Sequence, residues 1–239
     1  LFTSKNFASD KVVSIILVND TKLLNYIHFA DSAWPVGSFA YSSGLEAMTK
    51  FGQLGSISDL ERYLDSSLDQ WLHFDIQILY SLFSEKEFVE AMELYHISTR
   101  TPSIRKAAET QGRTWMRLLE VTHREVDIEE IKTLFRQHQI KPYFIGVYAL
   151  VMKALNYNVE ETSDLYLYTL QRDQISAAIR LGLLGPSSAH AMLSHSLKKI
   201  SYKYNKTKTY HYTQAMRILP VSDVAQIAHA NLYSKLFRN

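Results

Sequence analysis

The sequence predicts an all-α protein, a single-domain bundle of about nine or ten helices. Three observations carry that expectation. Apolar residues recur at three- and four-residue steps over long stretches, helix-capping residues stand in front of those stretches, and glycine (8) and proline (5) are scarce in 239 residues. A turn-rich β-sandwich needs far more of the last two.

Each element follows from local chemistry. Residues 1–20 read as an N-terminal extension, a strand or an added helical turn around the apolar run Val12–Val18. That run is shorter than the ~20 residues of a membrane span, and Asn19-Asp20 follow it in place of a small-residue cleavage site. The bundle itself is expected over 21–239, with a helix from near Leu23 that Pro35 and Gly37 break. Over 59–84, Leu60, Leu64, Leu68, Trp71, Leu72, Ile76, Leu79 and Phe83 form one amphipathic stripe, opened by a Ser58–Glu61 capping box. Thr101-Pro102 reads as N-cap and first helical position, where the missing proline N–H costs nothing. Asp127-Ile128-Glu129-Glu130 carries the acidic first turn that suits a helix dipole. A further helix is expected from Pro142 to Leu155, and another from near Ser163 to the Gly185-Pro186 stop, which opens the next.

Composition excludes several functions. The chain has no cysteine, which removes disulfide frameworks, zinc-thiolate sites and cysteine nucleophiles. The net charge of +2 gives no global pull toward nucleic acid or membrane. None of the nine histidines pairs with another at the four-residue spacing that puts two imidazoles on one helix face. No cofactor loop, metal-ligand set or catalytic cluster stands out, so no cofactor, no metal and no enzymatic activity are expected; a helical metal-dependent hydrolase is the weaker enzyme alternative. Residues 198–212 mix five lysines with four tyrosines, a pattern that suits single-stranded nucleic acid. The chain lacks a nucleic-acid-binding motif elsewhere, so a solvated helix end and loop is the preferred reading. A basic helical nucleic-acid-associated protein remains the alternative.

The most distinctive stretch is Pro35-Val36-Gly37-Ser38-Phe39-Ala40-Tyr41-Ser42-Ser43-Gly44-Leu45-Glu46. Small residues crowd it and permit close backbone approach. It has neither the Walker Gly-Lys-Ser/Thr element nor a Gly-x-Ser-x-Gly elbow. Its order and spacing resemble the N-terminal hallmark of the UreF family of urease accessory proteins. The chain's end, Pro220-Val221-Ser222-Asp223 followed by His229-Ala230-Asn231-Leu232-Tyr233-Ser234-Lys235-Leu236-Phe237-Arg238, resembles that family's ending. Arg105, Gln111-Gly112-Arg113 and Gly146 resemble its middle. Two departures stand out: Ala230 where the family has glutamate, and Lys235 where it has arginine, which keeps the charge but loses the planar fork.

The resemblance implies a cytoplasmic, non-enzymatic scaffold that forms a homodimer, binds a second accessory protein (UreD, also called UreH) and recruits the GTPase UreG. The assembly then supports nickel insertion into the urease apoprotein. It implies a partner-docking segment over 220–239, with His229, Tyr233, Leu236, Phe237 and Arg238 as contact residues. It implies a dimer or GTPase interface at Pro35, Gly37, Phe39, Tyr41, Ser42, Gly44 and Glu46. No role for nucleic acid or membrane follows from it. For His229, an orienting hydrogen bond is the expected role rather than metal ligation.

Overall fold

A computed structural model describes residues 21–34, 42–206, 210–229, 232–233 and 235–237. All regular structure among them is helical. The described residues fall into two compact units, one ending at Trp34 and the other beginning at Ser42. In the first, helix α1 (residues 21–29) ends where Ala30 N–H donates to the Tyr26 and Ile27 carbonyls. The ring of Trp34 then lies 4.8 Å from His28 and 5.3 Å from Phe29. The apolar run at 12–18 lies outside the described residues.

The second unit holds α2 (Leu45–Lys50), α3 (Ile57–Gln70), α4 (Ile76–Leu82), α5 (Phe88–Ser98), α6 (Pro102–Thr122), α7 (Ile128–Gln137), α8 (Phe144–Ala154), α9 (Val159–Arg180), α10 (Pro186–Lys206) and α11 (Pro220–Ala228). The expected starts at Pro102 and Pro186 are met. Other boundaries shift for local reasons. The α3 cap is Ser56, not Ser58: its hydroxyl accepts the Asp59 N–H and leaves Ser58 inside the helix. Helix α9 starts at Val159 because Asn158 and Glu161 form a reciprocal capping box, four residues before the expected start. Asp127 caps α7 through the Glu130 N–H.

Helices α4 and α8 lie innermost. Ile76, Ile78 and Leu79 of α4 and Val147, Ala149, Val151 and Met152 of α8 are fully buried, as befits helices that are apolar on nearly every side. Helix α6 packs on α8 at Gly112, where a Cβ would come within 2.1 Å of the Pro142 carbonyl oxygen.

Helices α3 and α4 are one rod interrupted by a π-helical turn, Trp71–Asp75. An irregular segment, 210–219, crosses this rod and finds its hydrogen-bond acceptors there. Gln70 Oε1 accepts from the Ile218 and Leu219 N–H groups at 2.6 and 2.8 Å, and the His73 carbonyl accepts from Met216. Gln77 Oε1 accepts from His211 and Ser81 Oγ from Tyr212. These polar side chains on the buried side of an apolar rod meet the backbone needs of the crossing segment, which delivers α11 to its place.

The lysine- and tyrosine-rich stretch is mostly helix. Lys199 and Lys203 of α10 pair with Asp65 and Asp69 of α3, while Tyr204 stacks on Tyr210, whose ring centroid lies 4.7 Å from that of Tyr80. Part of the stretch therefore belongs to the bundle's packing rather than to a solvated loop.

Candidate functional site: a buried carboxylate joining the two ends of the bundle

The site begins with a backbone turn. Ser43 and Gly44 both adopt positive φ, 51° and 92°, and Leu45 N–H closes the turn onto the Ser42 carbonyl. Gly44 is needed twice over. Its φ disfavours any side chain, and a Cβ there would meet Ala225 Cβ at 3.1 Å, the Ser222 carbonyl at 3.3 Å and Tyr63 Oη at 3.3 Å. The small residues thus let the start of α2 lie directly against α11. Tyr63 secures the junction: its hydroxyl donates to the Ser43 carbonyl at 2.6 Å and lies 3.5 Å from Ser222 Oγ. Burial pushes the Tyr63 hydroxyl pKa up, so it stays a donor.

Glu46, two residues past Gly44, points into this junction and is wholly buried. Its Oε2 accepts from His229 Nε2 at 2.7 Å and from the Phe237 N–H at 3.1 Å; its Oε1 accepts from the Leu236 N–H at 2.6 Å. Lys50, one helical turn on, brings its ammonium to 3.6 Å. Burial alone would raise the pKa of this carboxyl; the hydrogen bonds from Leu236, His229 and Phe237 together outweigh it and hold the pKa below the ordinary value. The His229 ring is buried too, with Nε2 as the donor nitrogen and Nδ1 without a hydrogen-bond partner among the described residues.

The same grip fixes the chain's end. Phe237 enters a core cluster with Leu45, Leu60, Leu64, Ile175 and Leu184, and the Arg180 guanidinium lies 4.1 Å from its ring centroid. Between the anchors at His229 and Phe237, Tyr233 is fully exposed and Leu236 half-exposed. Val221, Val224 and Ile227 of α11 are exposed as well, while Ala225 faces Gly44. The result is an apolar strip outside and a polar clamp beneath it.

The sequence-derived residues thus separate. Ser42, Gly44, Glu46, His229 and Phe237 come together as buried residues of the junction. Tyr233 and Leu236 face outward. Pro35, Gly37, Phe39, Tyr41 and Arg238 lie outside the described residues. Within the 220–239 segment, α11 ends at Ala228, and Leu232 N–H turns back onto the His229 carbonyl. Glu46, which the resemblance places at a dimer or GTPase interface, has its acceptor sites taken by this chain's own donors in the structure. Tyr63, Ala225 and Arg180 complete the junction and were missed; only Tyr63 left a trace, as a polar-tipped residue within the apolar stripe of α3.

Among the described residues no group of three or more histidine, aspartate or glutamate side chains is placed to hold a metal ion. No described helix is long and apolar enough to cross a membrane. The geometry defines an all-helical bundle in which a buried carboxylate ties α2 to the segment after α11. Comparison with known proteins makes the class specific: the model of the UreF family matches residues 55–197, and the chain belongs to that family. It is similar to Urease accessory protein F of Arabidopsis thaliana, 28% identical over 212 residues that cover 87% of this chain and 88% of that protein. It is also similar to Urease accessory protein F of Oryza sativa subsp. japonica, 24% identical over 225 residues (92% and 86%). Urease accessory protein UreF of Trichodesmium erythraeum is 26% identical over 228 residues (90% and 96%).

Proposed function

We propose that this chain is a non-enzymatic, cytoplasmic scaffold of urease maturation. It binds a UreD/UreH-type accessory protein through its C-terminal strip, recruits a UreG-type GTPase, and so supports GTP-dependent delivery of nickel to the urease apoprotein. Nickel is cargo in this reading, carried by the partners. The observation that supports the docking role is the exposed strip of Val221, Val224, Ile227, Tyr233 and Leu236, held in shape from beneath by the Glu46 clamp. Exposed apolar residues grouped around an aromatic anchor are what a protein interface uses.

The test is co-expression with the cognate UreD/UreH and UreG, followed by pull-down. Deleting residues 232–239 would be a poor probe, since it removes buried Phe237 and strips Glu46 of two donors. Tyr233→Ala and Val224→Asp alter only exposed positions. Each should weaken capture of UreD/UreH at least tenfold with unchanged thermal stability, and lower the nickel content of co-expressed urease. Full-strength capture by both variants would sink the docking role. The reading includes homodimerisation with part of the interface near the Pro35–Glu46 segment, which light scattering at tens of micromolar chain would detect; a monomer there would remove that part.

A further inference from the structure

We propose that a second surface, the groove between α6 and α7, binds a partner segment that carries carboxylates around an apolar side chain. The groove is half-open, with a volume of about 760 Å³. Its walls are Arg113 and Arg117 of α6 and Lys132 and Arg136 of α7, with Lys141 from the loop that follows. Thus five cations line it, and no carboxylate does. Its floor is apolar: Met116 and Phe135 are both more than 95% buried.

The local fold explains why the cations converge. Arg113 and Arg117 stand four residues apart on α6, as do Lys132 and Arg136 on α7, so each pair shares a helix face. Helix α7 stops where Gln139 takes a positive φ of 55° and Ile140 N–H returns to the Phe135 carbonyl. That reversal carries Lys141 back over the groove. The neighbouring carboxylates neutralise part of the charge: Glu109 pairs with Arg113 at 2.7 Å, Glu120 and Glu129 with Lys132, and Glu129 Oε2 lies 3.6 Å from Arg136. Among the described residues Arg117 donates to Thr114 Oγ1 and forms no ion pair, and Lys141 forms none either. The groove therefore keeps surplus positive charge at two exposed side chains, one on α6 and one on the loop after α7.

Charge complementarity calls for an anionic occupant, and the floor decides which kind. A compact phosphate would gain nothing from Met116 and Phe135. Arg136 and Gln139 also sit at the C-terminal end of α7, where the helix dipole opposes a concentrated negative charge. Carboxylates spread along a peptide, reaching both walls while an apolar side chain fills the floor, satisfy both features. The guanidinium forks of Arg113 and Arg117 suit carboxylates geometrically. None of these residues belongs to the C-terminal strip, so this surface is independent of the docking role proposed above.

The probe is a fluorescein-labelled heptapeptide alternating glutamate with leucine, followed by fluorescence anisotropy with the full chain. Saturable binding is expected, at least tenfold weaker for the same peptide with glutamine in place of glutamate, and weaker at raised salt. Arg117→Glu combined with Lys141→Glu should weaken binding at least tenfold, with an unchanged circular dichroism spectrum. Lys198→Glu combined with Lys206→Glu makes the same change of net charge on α10 and should leave binding as it was. No binding, equal loss from both double variants, or displacement by millimolar inorganic phosphate would overturn the proposal. So would tighter binding of a single-stranded oligonucleotide than of the peptide.

Discussion

Replacing Glu46 by alanine removes the acceptor for three donors at once. The His229 Nε2 and Phe237 N–H groups are buried, and each costs about 1–3 kcal/mol if left without a partner. The Leu236 N–H is only partly buried and rehydrates at little cost. If the chain end stays in place, the loss is about 2–6 kcal/mol. If it detaches, both donors reach water, and the loss becomes the burial of Phe237, about 2–3 kcal/mol, plus about 1 kcal/mol for the Arg180 contact. The chain takes the cheaper course, so the expected loss is about 3 kcal/mol, with residues 229–237 released. Urea denaturation measures the first quantity. Amide exchange at Leu236 and Phe237, with carboxypeptidase sensitivity, measures the second. Glu46→Gln keeps one acceptor oxygen and should lose less, about 1–2 kcal/mol. Full stability together with an unaltered, protease-resistant chain end in Glu46→Ala would refute the clamp. The same clamp predicts an acid response. Because the folded-state pKa of Glu46 lies below its ordinary value of 4.5, its stabilisation is complete above that value and is lost as pH falls through the lower one.

Other expectations follow from single contacts. Gly112→Ala should destabilise by about 3 kcal/mol in thermal melts, at the upper end for overpacking, because the atom it strikes is backbone and cannot step aside; Gly185→Ala, with nothing within 4 Å, should be nearly silent. Gly44→Ala should cost about 1–2 kcal/mol for its backbone conformation alone and loosen α2 from α11, read as faster proteolysis at the chain end. Asp75 sits on the π-helical turn, where burial raises its pKa from 3.8 to about 6 despite Arg217 nearby and the Tyr166 hydroxyl at 3.2 Å. Its charged form is the costly one, so its own contribution to stability is fullest below 3.8 and declines as pH rises through about 6. Asp75→Asn should flatten that decline, a gain of up to about 3 kcal/mol at neutral pH by urea denaturation; an unchanged pH profile would show the carboxyl to be well solvated.

The fold class was legible in the residues because helix formation is local. Caps, first-turn acids and apolar spacing act within one or two turns, so Thr101-Pro102, Asp127 and Gly185-Pro186 mark helix boundaries in the string itself. The errors are of the same local kind: two serines compete to cap α3, and Ser56 wins because its hydroxyl reaches the Asp59 N–H. The inward polar residues Gln70, Gln77 and Ser81 were invisible as a set, since the segment they serve lies more than 130 residues away.

The junction marks the same divide. Sequence singled out the glycine- and serine-rich stretch and the C-terminal motif, and even the hydrogen-bonding role expected of His229. It did not show that they are one site. Glu46 and His229 are 183 residues apart, and Glu46 and Phe237 are 191 apart. Nothing local tells a glutamate whether it faces water or a buried histidine. Only tertiary packing decides that, because the absence of a side chain at Gly44 lets α11 close over α2, excludes water from the carboxylate, and leaves the chain's own N–H groups as its partners.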